Sequence, residues 1–139
     1  MYSWAFFALL SAGFAALVAI FGKIGLTGID TTLATTVRAV IMAAFLVVVA
    51  FSLGKVGMLS TLSGKALVFI ALSGVAGALS WLFYFFALQK GPASGVAALD
   101  RLSVVFVLVL AVLFLGEHFT IKAVAGAVLV AAGAVLMSW

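Results

Sequence analysis

Long apolar stretches alternate with short polar segments that contain glycine along the whole chain. Each stretch is long enough, at about 1.5 Å per helical residue, to cross roughly 30 Å of hydrocarbon. The pattern predicts five membrane-spanning helices, near residues 3–22, 32–53, 66–89, 93–115 and 121–138. The predicted fold class is therefore an all-α integral membrane protein, with a single five-helix transmembrane domain over residues 1–139.

The polar segments indicate where these helices begin and end. Asp30 or Thr31 can cap the second helix, and Pro92 suits the first turn of the fourth helix, where an N–H has no intrahelical partner. Residues 54–65 form the longest polar connection, and Gly116 opens a tight polar turn before the last helix. No basic residue precedes the first apolar stretch, which favours a retained helix over a cleaved signal peptide.

Composition narrows the class of protein further. The chain is 68% hydrophobic and 7% charged, whereas soluble domains have about 25% charged residues, so we expect a multi-pass protein of the inner (cytoplasmic) membrane. Cysteine is absent, and one His and three acids leave little material for a metal site. The seven basic residues are scattered singly and form no nucleic-acid patch. No nucleophile–base pattern or phosphate loop is present, so the sequence predicts neither an enzyme nor a cofactor.

Charged residues inside the predicted spans are the main candidates for function. Asp100 lies eight residues after Pro92, about 12 Å into the fourth helix, and Arg38 lies about 10 Å into the second. Because both helices start on the same side, the sequence predicts an Arg38–Asp100 pair at similar depth. Arg101 points about 100° away from Asp100, so it must snorkel, face a cavity or meet a partner outside the chain.

Two interpretations of these charges stay open. One is a structural ion pair with a snorkelling arginine; the other is a polar substrate or coupling-ion site. The local charge, two arginines minus one aspartate, would be balanced better by an anionic or zwitterionic ligand than by a cation.

Helices three and five each carry a face of small residues. In helix three this face mixes small, hydroxyl and aromatic groups, typical of helix packing or of a cavity wall: Ser73, Gly77, Ser80, Trp81, Tyr84 and Leu88. In the fifth predicted helix, residues 121–138, the face is formed by Gly126, Val130, Gly133 and Met137. This face suits packing within this chain or against a second copy. The candidate substrate-binding residues are Arg38, Asp100, Arg101, Ser80, Trp81 and Tyr84.

Three segments carry a resemblance to a known family: residues 81–94, residues 113–120 with their Gly-Glu turn, and the glycine-spaced residues 126–133. On these the chain resembles the EamA domain of the drug/metabolite transporter superfamily. The resemblance implies one half of a ten-helix inverted-repeat transporter, since most members carry two five-helix units with the substrate cavity between them. It therefore implies a homodimer, with an antiparallel pair favoured over a parallel one.

The leading functional hypothesis is a secondary transporter or exporter of small metabolites or drugs, working as a homodimer by alternating access. Two alternatives are a lipid-carrier flippase subunit and a membrane scaffold protein that transports nothing. The predicted topology places Lys55, Lys65 and Lys122 on one side and Lys23 and Lys90 on the other. This near balance gives no firm orientation by the positive-inside rule, as a dual-topology dimer requires.

Overall fold

Helices account for all regular structure in the residues that the computed structural model describes, which are 3–139. Five segments of that range are long and apolar enough to cross a membrane, which confirms the five predicted spans and the all-α class. Their helices are α1 (Ser3–Gly25), α2 (Thr31–Ser52), α3 (Gly64–Lys90), α4 (Ala93–Asp100) followed by α5 (Ser103–Leu115), and α6 (Ile121–Ser138).

The helices group into two compact units. One comprises the chain up to Ile24 together with Lys90–Trp139, and the other comprises Gly25–Gln89. The first unit therefore contains α1, α4, α5 and α6, while the second contains α2 and nearly all of α3. Met1 and Tyr2, which belong to the predicted 1–139 domain, lie outside the described residues.

Capping residues mark where helices begin and end in the predicted polar segments. Of the two candidate caps for α2, Asp30 takes the role, because its side chain accepts a hydrogen bond of 2.9 Å from the Leu33 amide. Gly116 ends α5 in the left-handed conformation (φ 67°), and the next amide, that of Glu117, bonds back to the Ala111 carbonyl. Between α2 and α3, the predicted polar connection contains a short 3-10 helix, Val56–Thr61.

The fourth span is interrupted, whereas the sequence analysis predicts one continuous helix over 93–115. The amides of Arg101 and Leu102 bond to carbonyls three residues back, at 3.1 and 3.0 Å, instead of four. The break separates α4 from α5 within one membrane span. Intrinsic propensity does not explain this position, because the residues at the turn, Arg101 and Leu102, are good helix formers and neither proline nor glycine lies there.

Small residues allow α4 and α6 to approach closely in the first unit. Gly95 and Ala98 of α4 are buried, as are Ala127 and Ala134 of α6. A Cβ atom added to Gly95 would lie 3.4 Å from the Met137 carbonyl oxygen, which is on the last turn of α6. The start of α4 therefore packs against the end of α6, the antiparallel contact that small residues permit in lipid.

The packing edge of α6 lies beside the one that its glycine spacing suggests. Ala127 and Ala134 are buried, while a Cβ atom added to Gly126 or Gly133 would meet nothing within 4 Å in the described part of the chain. The alanine edge thus serves packing within the chain, and the glycine edge is open.

Lys23 fixes the connection between α3 and α4. Its ammonium donates a 2.8 Å hydrogen bond to the carbonyl oxygen of Gly91, one residue beyond the end of α3. A cation is favourable at this position because the C-terminal end of a helix carries partial negative charge. The end of α1 is thereby joined to the entry of α4.

Substitution of Gly95 tests the close approach of α4 and α6. We expect Gly95→Val to destabilise the protein by about 1–3 kcal/mol, because the added methyl groups meet the α6 backbone. Gly74→Val is the matched control, since a Cβ atom there meets nothing within 4 Å among the described residues. Thermal unfolding in detergent measures both variants. Equal melting temperatures for the two would contradict this packing.

Candidate functional site

Arg38 lies on α2, seven residues after the helix begins at Thr31 and therefore about 10 Å along its axis. The surrounding sequence is helical because Asp30 caps it and a long apolar run follows. Its side chain is partly exposed. A charged group at such a depth is costly in a bilayer unless other groups surround it.

An aromatic cluster on α3 lies in the same compact unit. Trp81, Tyr84 and Phe85 are three and four residues apart, which places them on one helical face. Their ring centroids are 5.5 Å apart for Trp81–Tyr84 and 5.9 Å for Trp81–Phe85. Phe85 is only 3% exposed. These three residues form what we call the aromatic cluster.

The guanidinium group of Arg38 lies over this cluster. Its Cζ atom is 3.7 Å from the centroid of the Trp81 ring and 5.3 Å from that of Phe85. Both distances are within the 6 Å range of cation–π attraction, which is worth about 0.5 kcal/mol when exposed and about 2 kcal/mol when desolvated. The ring face of an indole therefore stabilises the positive charge of Arg38 inside the second unit.

The buried polar groups of α2 lie on the same face as Arg38. Thr31, Thr35 and Arg38 follow one another at spacings of four and three residues, so the three side chains lie above one another. Both threonines are buried, and the Thr35 hydroxyl donates to the Thr31 carbonyl at 2.8 Å. The Thr31 hydroxyl is 1% exposed and has no hydrogen-bond partner among the described residues. One face of α2 is thus polar from its first turn to Arg38.

Asp100 and Arg101 lie at the interruption of the fourth span, in the other unit. The Arg101 Nη2 atom is 3.9 Å from the Asp100 Oδ2 atom, and the two side chains are 52% and 38% exposed. This is a loose pair, and an exposed pair of this kind contributes little stability. Arg101 therefore has its sequence neighbour as a charge partner, which the sequence analysis does not anticipate.

The structure brings together three of the six predicted site residues. Arg38, Trp81 and Tyr84 belong to one constellation, whereas Ser80 is exposed and takes no part in the ring contacts recorded for the described residues. Asp100 belongs to a different unit from Arg38, so their pairing stays a prediction.

Phe85 belongs to the same constellation but is not among the site residues predicted from the sequence. Its spacing of four residues from Trp81 is the available signal.

Comparisons with known proteins place the whole chain in one group. A family model described as the EamA-like transporter family matches residues 2–139. A relative from Sinorhizobium sp, named an uncharacterized transporter in the cobO 3' region, is 43% identical over 136 residues, or 98% of this chain and 96% of the relative. No solved structure matches significantly. Both matches include the segments that carry Arg38 and Asp100.

A double-mutant cycle tests the contact between Arg38 and Trp81. We expect Arg38→Met and Trp81→Leu to be non-additive, with a coupling energy of about 0.5–2 kcal/mol, because each removes the same cation–π contact. Stability is measured by unfolding in detergent. The control cycle combines Arg38→Met with Phe83→Leu, since Phe83 is 66% exposed. That cycle should be additive within about 0.5 kcal/mol. Additivity in the Trp81 cycle would mean that the contact contributes nothing.

Proposed function

The chain belongs to the EamA-like transporter family, and we propose that it moves small organic solutes across the cytoplasmic membrane, as a homodimer that works by alternating access. The observation that carries this proposal is Arg38, held against the aromatic cluster within a membrane span. Ionisable residues at such positions are rare and mark substrate or ion pathways. An arginine with a partly exposed side chain beside Trp81 and Tyr84 supports a solute-binding role for this constellation.

The interrupted fourth span supports a conformational cycle. Transporters commonly use discontinuous helices near their binding sites, and a stretch of 3-10 geometry inside a helix often marks a hinge. Here α4 is anchored to α6 by the buried Gly95 and Ala98, whereas no residue of α5 is buried among those described. The turn at Arg101–Leu102 is thus a suitable hinge between a fixed half and a freer half.

A second copy would complete the ten-helix arrangement that the resemblance implies. The Sinorhizobium relative is covered over 96% of its own length, so it too is about one five-helix unit long. Large apolar side chains remain exposed on every span, for example Phe14, Phe45, Phe69, Phe106 and Leu129. Lipid or another copy must cover these surfaces.

Release from proteoliposomes tests transport directly. Purified protein is reconstituted into liposomes loaded with amino acids, carboxylic acids, sugars and nucleosides, and the released solutes are quantified by mass spectrometry. We expect at least one class to leave faster than from protein-free liposomes, because the site binds a small solute. Arg38→Gln should slow that release, while Lys55→Gln, in the connection outside the spans, should not. Release equal to the protein-free leak for every solute would contradict the proposal.

Orientation-biased variants test the antiparallel homodimer. Lysines added at the exposed Met58 and Leu59 should fix the α2–α3 connection in the cytoplasm by the positive-inside rule. We expect this variant alone to lose transport, because only one orientation is then made. Co-expression with Thr27→Lys/Ile29→Lys, which biases the opposite side, should restore activity. The double glutamine variant at 58 and 59 controls for polarity. Full activity of the singly biased variant would favour a monomer or a parallel dimer.

A further inference from the structure

The guanidinium carbon of Arg38 lies over the Trp81 ring. The Cζ atom is 3.7 Å from the ring centroid, which is within van der Waals contact of the ring and within the range of cation–π attraction. The Trp81 ring attracts the positive charge through its π face, and it has no oxygen that could accept hydrogen bonds from the five N–H donors of the guanidinium.

The charge of Arg38 also lacks a nearby carboxylate within its own unit. Residues 25–89 contain a single acidic side chain, that of Asp30. Asp30 caps α2 through the Leu33 amide, and it lies eight residues from Arg38, which corresponds to about 12 Å along the helix. The groups that the structure places against Arg38 in this unit are thus aromatic rings, which carry no negative charge to neutralise the guanidinium.

We infer that Arg38 is the carboxylate-recognition group of the transport site, and that the transported solutes are small organic carboxylates or zwitterions. This inference rests on the proposed function. A carboxylate can accept two parallel hydrogen bonds from the guanidinium edge, a geometry that a lysine cannot reproduce. The apolar part of such a solute meets the aromatic cluster, since Trp81 and Tyr84 are partly exposed. A planar carboxylate with one negative charge therefore suits a site formed by one arginine and aromatic rings.

The charge selectivity of the unmodified protein is the first test. Proteoliposomes are loaded with carboxylates and their matched amides, such as N-acetylphenylalanine and N-acetylphenylalaninamide, together with sucrose and choline. After subtraction of the protein-free leak, we expect carboxylates to leave at least about tenfold faster than their amides, because a hydrogen bond to a charged group is worth about 1.5–3 kcal/mol. Equal or faster release of amides, sucrose or choline would overturn the inference and leave the proposed function intact.

Variants of Arg38 are the second test. Arg38→Lys keeps the charge but loses the planar fork, so we expect carboxylate release to slow by about tenfold. Arg38→Gln should abolish carboxylate selectivity, and Lys55→Gln should match the unmodified protein. Unchanged carboxylate release in Arg38→Gln would overturn the inference. If Arg38→Gln does not fold, as judged by thermal unfolding, the selectivity of the unmodified protein decides alone. Absence of release for every solute, here and in the broader mixture, would instead overturn the proposed function.

Discussion

Placing an arginine inside a membrane span is the constraint on which the candidate site depends. The hydrocarbon itself offers no hydrogen-bonding partner, so the charge needs protein groups or a water-filled cavity around it. In the second unit the positive charge lies against an aromatic ring, because the Arg38 Cζ atom is 3.7 Å from the centroid of the Trp81 ring. At the interrupted fourth span the neighbouring group is a carboxylate, since the Arg101 Nη2 atom lies 3.9 Å from the Asp100 Oδ2 atom. The first arrangement attracts the positive charge without supplying a carboxylate, whereas the second places opposite charges next to each other.

The first unit is organised by van der Waals packing of small residues. Helices in lipid gain little from the hydrophobic effect when they associate, so close backbone approach decides where they meet. Gly95 on α4 and Ala134 on α6 provide that approach, and the Lys23–Gly91 hydrogen bond ties the entry of α4 to α1. With α4 held in this way, the 3-10 turn that follows it is the point where the fourth span departs from regular helix geometry.

The five spans could be predicted because hydrophobic length is a sum over residues and needs no tertiary information. The interruption after Asp100 could not, since no proline or glycine marks it and the residues at the turn, Arg101 and Leu102, are good helix formers. Spacing on α6 predicted a small-residue face without deciding whether it packs within the chain or against a second copy. Within the chain the buried residues of α6 are Ala127 and Ala134, because the partner helix decides which edge is covered. The sequence predicted Arg38, Trp81 and Tyr84 as site residues, yet Phe85 was missed because an apolar ring in a span is equally suited to lipid.

The kind of group that surrounds Arg38 has a consequence for a transport cycle. A site must bind its solute strongly enough to admit it and weakly enough to release it. A carboxylate built in beside Arg38 would compete with an anionic solute for the same donors, and an arginine without any neighbours would be too costly in the bilayer. A cation–π contact worth about 0.5–2 kcal/mol lies between these limits. Trp81 can therefore stabilise the charge of Arg38 without supplying a carboxylate that would compete with an anionic solute.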